Sequence, residues 1–229
     1  MKIEVEESDN FWAPISDLMA GLMMVFILIA ISYMVKSRSA ALYFNNTQEK
    51  LVERLKEEFN KDLEKWNAKL IDSTLSIQFL SNEVTIDGFE RILFKRGDYE
   101  ISPWFKNNLD VFFPRFLGII YSNEFKNIIE EVRIEGHTST IGARNKKQDP
   151  YFYNMKLSQN RSRSVLKYCY EKHADKNQKK WLVDKATANG LSYSKKIINT
   201  DGSENLASSR RVEFRIKTNS ESVLKKIIN

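Results

Sequence analysis

The chain of 229 residues carries a net charge of +6, and 42% of its residues are hydrophobic, which suffices for one medium-sized domain and an additional segment. Its single cysteine, Cys169, excludes an intrachain disulfide and a cysteine-based metal site. His137 and His173 are far apart in the sequence, so we expect no metal site. Lysines and arginines are interspersed with acids, and we expect no binding to nucleic acid.

An apolar run of about 24 residues extends from Trp12 to Val35 and holds Asp17 as its single charge. At about 1.5 Å of rise per residue, a helix of this length crosses a bilayer core of about 30 Å. A cleaved signal peptide would have a basic start and a shorter apolar core, whereas residues 1–10 contain more acids than lysines. We therefore predict a polar tail over residues 1–10 and a retained transmembrane helix over residues 11–35.

Residues 36–73 form a charged connector in which apolar residues recur at spacings of three and four. The members of this pattern are Val52, Leu55, Phe59, Leu63, Trp66 and Leu70. The spacing predicts an amphipathic helix. Its apolar stripe suits pairing with a second chain as well as packing on its own domain, and both alternatives stay open here.

The pattern over residues 74–218 predicts an α/β sandwich of βαβαβ order, followed by a tail over residues 219–229. Strands are predicted at LSIQFL, EVTIDG, RILFKRG, EEVRIEG, KATANG and VEFRI. Helices are predicted at PWFKNNLDVFFPRFLGIIY and YNMKLSQNRSRSVLKYCYEK. Pro114 is expected to kink or break the first of these helices, because proline lacks the backbone N–H.

Asp17 lies inside the apolar run, and an ionised carboxylate costs about 2.5–3.5 kcal/mol at the centre of a membrane helix. The side chains nearest to it on a helix are the small ones of Ala13, Ser16, Ala20 and Gly21. Small side chains allow a second helix to approach closely, so we expect Asp17 to face another protein segment. Such a carboxyl group can bind and release an ion. The alternatives are a helix cap at the level of the headgroups and a structural partner of a buried arginine.

Four segments, RILFKRGDYEISP, IEGHTSTIG, YNMKLSQNRSRSVLKY and NLASSRRVEFRI, together resemble the OmpA-like peptidoglycan-binding domain. The resemblance extends over roughly residues 75–218. It implies that the loop after one strand and the start of the next helix hold a stem peptide of peptidoglycan that contains diaminopimelate. The residues that it places at this site are Thr138, Ser139, Tyr153, Asn154, Leu157 and Arg161.

The resemblance also implies roles for these residues. The planar fork of Arg161 suits a carboxylate of the peptide, Asn154 would bond the peptide backbone, and Tyr153 or Leu157 would pack beside it. Ser139 stands where the family commonly has Asp, and its hydroxyl offers an ammonium group a neutral hydrogen bond only. Structural roles are open as well, with Asn154 as a helix cap, Leu157 in the core and Arg161 in a surface ion pair.

One transmembrane helix with an early aspartate, a connector and an OmpA-like domain together resemble the B subunit of proton-driven rotary stators. The segment FWAPISDLMAGLMMVF is similar to the B subunit of the Zorya anti-phage defence type, and the flagellar type is the other known form. The resemblance implies two copies of this chain inside a ring of five multi-span A subunits. It implies H⁺ as the coupling ion, taken up by Asp17, with no further cofactor and no enzymatic activity.

The same resemblance implies a single-pass protein of the bacterial inner membrane, with a cytoplasmic N-terminus and a periplasmic domain bound to peptidoglycan. Lys36 and Arg38 follow the apolar run and weakly favour the opposite orientation. A passive wall anchor without ion flux remains an alternative.

Overall fold

The structure, a computed structural model, describes residues 12–81, 91–141 and 149–219. It divides into two compact units, of which the larger is Asn46–Asn219. Helix α1 (Trp12–Leu63) is 52 residues long and includes the predicted apolar run. Within the described ranges it is the one helix that is long and apolar enough to cross a membrane, and its apolar window is unburied.

The larger unit is an α/β domain, as predicted, and its sheet has five strands of mixed direction. The strands are β1 (Ala68–Ile71), β2 (Ser76–Leu80), β3 (Ile129–Gly136), β4 (Ala186–Gly190) and β5 (Arg211–Thr218), in the order β1-β2-β5-β3-β4. The pair β3 and β4 is parallel, and the other neighbours are antiparallel. The helices after α1 are α2 (Pro103–Ile120), α3 (Pro150–His173), α4 (Lys176–Lys185) and α5 (Leu206–Ser209).

The two long helices of the domain begin at residues that satisfy their first N–H groups. Ser102 accepts a hydrogen bond from the backbone N–H of Phe105, and Asp149 accepts one from that of Tyr151. Helix α2 then continues through Pro114 to Ile120, so of the predicted kink or break the break is wrong. The buried aromatic residues on both sides of Pro114 hold the helix against the sheet, which offsets the missing hydrogen bond.

Aromatic rings from α1, α2 and the sheet meet at Phe112 in the core. Its ring centroid lies 4.9 Å from that of Phe214 on β5, 5.0 Å from that of Phe79 on β2 and 5.2 Å from that of Phe59 on α1. The pairs with Phe214 and Phe79 are edge-to-face, and such contacts add to the free energy of burial. The C-terminal part of α1 is therefore part of the core of the domain.

A half-buried arginine on α2 adds polar contacts to this packing. Arg115 donates hydrogen bonds to the carboxylates of Glu58 (2.7 Å) and Asp62 (2.7 Å) on α1, and its guanidinium lies 5.0 Å from the ring centroid of Phe59. Leu51 and Leu55 on the same helix are fully buried. Of the two alternatives for the apolar stripe, the structure shows packing on its own domain.

The predicted boundary between connector and domain differs from the structure. Helix α1 ends at Leu63, and Ala68–Ile71 forms the edge strand β1, paired with β2. Asn67 has a left-handed backbone (φ 49°), and its side chain donates to the carbonyl of Leu80. This turn sends the chain into the sheet several residues before the predicted start at 74.

Three further expectations concern strands and loops. EVTIDG and most of the loop after β3 lie outside the described residues. RILFKRG forms isolated bridges at Arg91 and Phe94 rather than a strand, and Phe94 pairs with Ile101. KATANG is confirmed as a strand that ends at Gly190.

Helix α3 approaches the ends of β3 and β4 so closely that only glycine fits there. A Cβ on Gly136 would overlap the carbonyl of Ser158, and a Cβ on Gly190 would overlap the backbone N of Gln159. The side chain of Gln159 also accepts from the N–H of Gly190 (2.7 Å) and donates to the carbonyl of Ala188 (2.9 Å). The two glycines therefore set the distance between α3 and the sheet.

The sheet face opposite the aromatic core holds a buried group of charges around His137. The imidazole Nε2 lies 3.7 Å from a carboxylate oxygen of Glu135 and 3.6 Å from one of Glu213. Arg211 and Arg215 approach the carboxylate of Glu213 to 3.5 Å and 3.4 Å. The possible metal-ligand atoms of Glu135, His137 and Glu213 lie within 4.8 Å of one another. The guanidinium groups of the two arginines already neutralise the charge of the carboxylates, which disfavours a bound cation.

We expect Gly190→Ala to lower the free energy of unfolding by roughly 1–3 kcal/mol, because α3 must move away from the sheet. Urea unfolding of the full-length chain in detergent, followed by tryptophan fluorescence, measures the change. The control is Gly118→Ala on α2, where an added Cβ meets nothing within 4 Å and the helix gains propensity. Equal stability of the two variants would contradict the close approach.

We expect the stability of the domain to fall as the pH drops below the ordinary imidazole pKa of about 6.5. Burial lowers the pKa of His137 in the folded chain, while the nearby carboxylates oppose that effect. The unfolded chain therefore binds a proton first, and acid favours unfolding by up to about 1.4 kcal/mol per pH unit. His137→Gln should flatten the dependence of the urea midpoint between about pH 7 and about pH 5. A slope as steep as that of the parent would contradict this.

Candidate functional site

The loop after β3 is fixed by backbone hydrogen bonds to two neighbouring segments. The N–H of His137 donates to the carbonyl of Arg211 (3.0 Å), and the N–H of Thr138 donates to that of Ser192 (2.8 Å). Ser192, in turn, donates its own N–H to the hydroxyl of Ser158 (3.0 Å) and its hydroxyl to the carbonyl of Tyr151 (2.9 Å). The ends of β3 and β4 and the first half of α3 thus meet at one place.

Three of the predicted site residues are buried where these elements meet. Thr138, Ser139 and Asn154 are 3%, 1% and 1% exposed. Thr138 Oγ1 and Asn154 Nδ2 find no hydrogen-bond partner among the described residues. A polar atom held away from water without a partner costs about 1–3 kcal/mol, a cost that an added polar ligand would remove.

The structure contradicts the two alternative roles, a helix cap for Asn154 and a core position for Leu157. Asn154 does not cap α3, because Asp149 does so five residues earlier. Leu157 is half-buried and not among the fully buried core residues. Ser139 donates its hydroxyl to the carbonyl of Ile141 (3.3 Å), so its side chain is turned toward its own loop.

Arg161 on α3 holds the turn that precedes α2. Its Nε donates to the carbonyl of Asp98 (2.7 Å) and its Nη2 to that of Lys95 (3.1 Å), while the guanidinium lies 4.9 Å from the ring centroid of Phe94. Burial lowers the pKa of Arg161 to about 10, and Asp98 opposes that effect, so the group remains charged at neutral pH. Its Nη1 takes part in neither hydrogen bond. The residue is thus tied to backbone carbonyls rather than to a surface ion pair.

Tyr153 borders the same turn. Gly97 has a left-handed backbone (φ 72°), and a Cβ there would lie 3.6 Å from the hydroxyl of Tyr153. The turn therefore needs glycine at this position and presents its backbone to α3. The structure brings Tyr153 and Arg161 to this turn, whereas Thr138, Ser139 and Asn154 lie at the loop after β3.

Glu204 also belongs to this loop region, although no sequence pattern indicates it. Its two carboxylate oxygens accept from the backbone N–H of Thr140 at 3.3 and 3.2 Å, and the hydroxyl of Thr140 also donates to it. The two residues are 64 positions apart in the chain, and no spacing pattern connects them. Only the fold brings this carboxylate to the loop.

Asp17 lies near the start of α1 and is exposed, as are Ser16, Ala20 and Gly21 beside it. The side chain of Ala13, the fourth predicted neighbour, is outside the described set. No hydrogen bond or ion pair joins Asp17 to another residue of the ranges that the structure describes. Ser16, Ala20 and Gly21 beside the carboxylate are therefore uncovered by the residues that the structure describes.

Comparison with known proteins places both parts of the chain in one family. Residues 93–210 match the OmpA family. The Zorya protein ZorB of Escherichia coli is 39% identical over 231 residues, which cover 97% of this chain and 94% of that protein. The match therefore includes the apolar helix with Asp17 as well as the domain.

Two solved structures are similar in fold. One is the cell wall anchor of the T6SS from Pseudomonas aeruginosa, which is 17% identical in sequence and has a TM-score of 0.45. The similarity covers 72% of this chain and 97% of that chain. The other is a putative MotB-like protein from Desulfovibrio vulgaris, which is 20% identical in sequence and has a TM-score of 0.47. The similarity covers 75% of this chain and 99% of that chain. These scores are too low to carry an argument about function. By its match to the OmpA family and its identity to ZorB, the chain belongs to the OmpA family, among the relatives of the Zorya protein ZorB.

Proposed function

We propose that this chain is the B subunit of a proton-driven rotary motor of the Zorya anti-phage type, which anchors the motor to peptidoglycan. The observation that carries the proposal is the 39% identity to ZorB over 97% of the chain. That identity extends over two parts with different tasks. The apolar helix holds a carboxyl group, and the OmpA-family domain holds a site with unpaired polar atoms.

The chemistry of the domain suits a ligand rich in carboxylates and amides. Thr138 Oγ1 and Asn154 Nδ2 are buried without partners among the described residues, and Arg161 carries a positive charge. A stem peptide of peptidoglycan offers backbone amides for the first two and a terminal carboxylate for the guanidinium. Tyr153 and Leu157, both half-buried, would pack along the peptide, and Ser139 would lie at its edge.

The chemistry of Asp17 calls for a partner in the membrane. A lone carboxylate in lipid is costly, and the small side chains beside it allow close approach of another helix. We infer a multi-span A-type subunit as that partner, five copies around two copies of this chain. H⁺ is favoured over Na⁺ because a single carboxyl group among apolar neighbours offers few oxygen ligands for a metal ion.

Peptidoglycan lies outside the inner membrane, so the domain would be periplasmic and the N-terminus cytoplasmic. Lys36 and Arg38 would then lie on the outer side of the membrane, against the usual distribution of positive charge. We give the wall-binding chemistry greater weight, because two residues contribute little to the charge bias.

We expect Asp17→Asn, in a cell that also expresses the A-type subunit, to reduce proton flux and phage protection to background. Asparagine preserves the size of the side chain but cannot release a proton at neutral pH. The control is Ser16→Ala, which keeps the small face and the carboxyl group. Flux is measured with a pH-sensitive dye, and protection by plating efficiency. A fully active Asp17→Asn variant would show that the chain is a passive anchor.

We expect Arg161→Ala to weaken binding of the full-length chain, in detergent, to isolated sacculi by about tenfold, the value of one charge-assisted hydrogen bond. The control is Arg163→Ala, which removes an exposed arginine from the same helix. Arg161→Lys keeps the charge and should bind with intermediate strength. Because Arg161 also holds the turn before α2, thermal unfolding must show that each variant folds. Sacculus binding equal to that of the Arg163 control would place the wall site elsewhere.

A further inference from the structure

We propose that a groove between the end of α3 and helix α4 binds the phosphate headgroups of anionic phospholipids. The inference rests on the membrane location in the proposed function, but not on wall binding. It assigns a task to a group of lysines that takes no part in the proposed wall site.

The groove is open to solvent and has a volume of about 770 Å³. It is lined by Tyr170 of α3 and by five residues of α4, which are Lys176, Lys179, Lys180, Val183 and Asp184. Three lysines against one aspartate give the groove a net positive charge. Val183 is 70% exposed and adds apolar surface beside these charges. Lysines next to an exposed apolar side chain are typical of a surface that lies against a bilayer.

The lysines of the groove are available to an anionic ligand. Lys179 donates to the carbonyl of Glu171 (3.4 Å), and its Nζ lies 5.3 Å from the ring centroid of Tyr170. Lys176 and Lys180 are exposed and form no ion pair with the residues that the structure describes. Ammonium groups without an acidic partner are complementary in charge to a phosphate.

The fold places the groove at the end of the sheet where the chain enters the larger unit. That unit begins at Asn46, and the side chain of Gln48 donates to the hydroxyl of Thr218 at the end of β5. Thr218 pairs with Ile129, the first residue of β3. Helix α4 leads into β4 at the same end, because Ala186 pairs with the first half of β3.

The proposed wall site lies at the other end of the sheet. Gly136, the last residue of β3, lies against the backbone of Ser158 in the first half of α3. From there the helix continues to His173. Tyr170 lies about 24 Å further along the helix than Asn154. The groove is therefore separate from the wall site.

A short linking segment limits how far the entry end of the larger unit can lie from the bilayer. Residues 36–45 separate the apolar run from that unit. A stretch of this length spans at most about 35 Å, even when it is fully extended. An anionic membrane surface attracts lysines that come within a Debye length, about 8 Å at physiological salt. Phospholipid headgroups are thus the phosphates that the chain itself brings within reach of the groove.

The test uses the full-length chain in nanodiscs and follows the position of α4 by fluorescence. Asn177→Cys supplies an exposed thiol on α4 for a donor dye, whereas Cys169 is buried and does not react. A small share of the lipids carries an acceptor dye on the headgroup. Energy transfer should be stronger in discs of equal parts phosphatidylglycerol and phosphatidylcholine than in discs of phosphatidylcholine alone. Salt at about 1 M, where the Debye length is about 3 Å, should remove this difference.

Two pairs of substitutions with matched charge decide whether the groove is responsible. Lys176→Gln combined with Lys180→Gln should lower the ratio of docked to undocked domain in anionic discs by about thirtyfold, the value of two lysines near an anionic surface. The ratio is obtained from the efficiency of energy transfer. Lys195→Gln combined with Lys196→Gln removes the same charge from exposed positions after β4 and should behave as the parent.

Equal energy transfer in the two kinds of disc would overturn the assignment to phospholipid and would favour an acidic protein segment as the ligand. An equal loss in both pairs of variants would attribute the effect to net charge and would overturn the assignment to the groove. Sacculus binding by the groove variants should equal that of the parent, and a loss would assign the groove to the wall instead. A parent chain that binds no sacculi would refute the wall-binding function alone.

Discussion

The close approach of α3 to the sheet is the constraint on which the rest of the domain depends. Gly136 and Gly190 lie opposite each other on β3 and β4, and neither leaves room for a Cβ beneath α3. Because the helix is held there, Tyr151 and Ser158 in its first half bond to Ser192, whose carbonyl accepts from the N–H of Thr138 in the loop after β3. The side chain of Gln159 bonds to the edge strand β4 and fixes the helix along the sheet. The proposed peptide site therefore depends on two glycines whose own atoms would take no part in binding.

The second consequence of the packing concerns the long helix α1. Its C-terminal part contributes Phe59 to the aromatic core and pairs Glu58 and Asp62 with Arg115. The segment that the charge pattern marks as a connector is thus, from Asn46 to Leu63, a component of the domain. A loose tether would leave this segment exposed.

Much of the fold could be predicted because periodicity depends on local residues. The apolar run, the amphipathic helices α2 and α3 and the alternation of Val212, Phe214 and Ile216 on β5 are visible in single stretches of the chain. Strand β1 could not be predicted, because Leu70 continues the helical spacing of Leu63 and Trp66 beyond Asn67, where the left-handed turn begins the strand. Propensity rules alone could not decide whether Pro114 ends the helix, which continues because its tertiary contacts outweigh one missing hydrogen bond.

The candidate site could be predicted only where a motif marks it. Thr138, Asn154 and Arg161 fall within segments that resemble a known family, but their environments depend on residues distant in the chain. The carbonyls that bind Arg161 are 63 and 66 positions away, and Glu204 is 64 positions from Thr140. No pattern within a single sequence relates such pairs, because the sheet order β5-β3-β4 brings them together.

The central claim is that a peptidoglycan stem peptide binds between the loop after β3 and the first half of α3. A crystal structure of the full-length chain with a soluble disaccharide peptide that contains diaminopimelate tests it most directly. The account predicts that the peptide accepts hydrogen bonds from Thr138 Oγ1 and Asn154 Nδ2. A peptide bound at another surface, with these two atoms still unpaired, would contradict it.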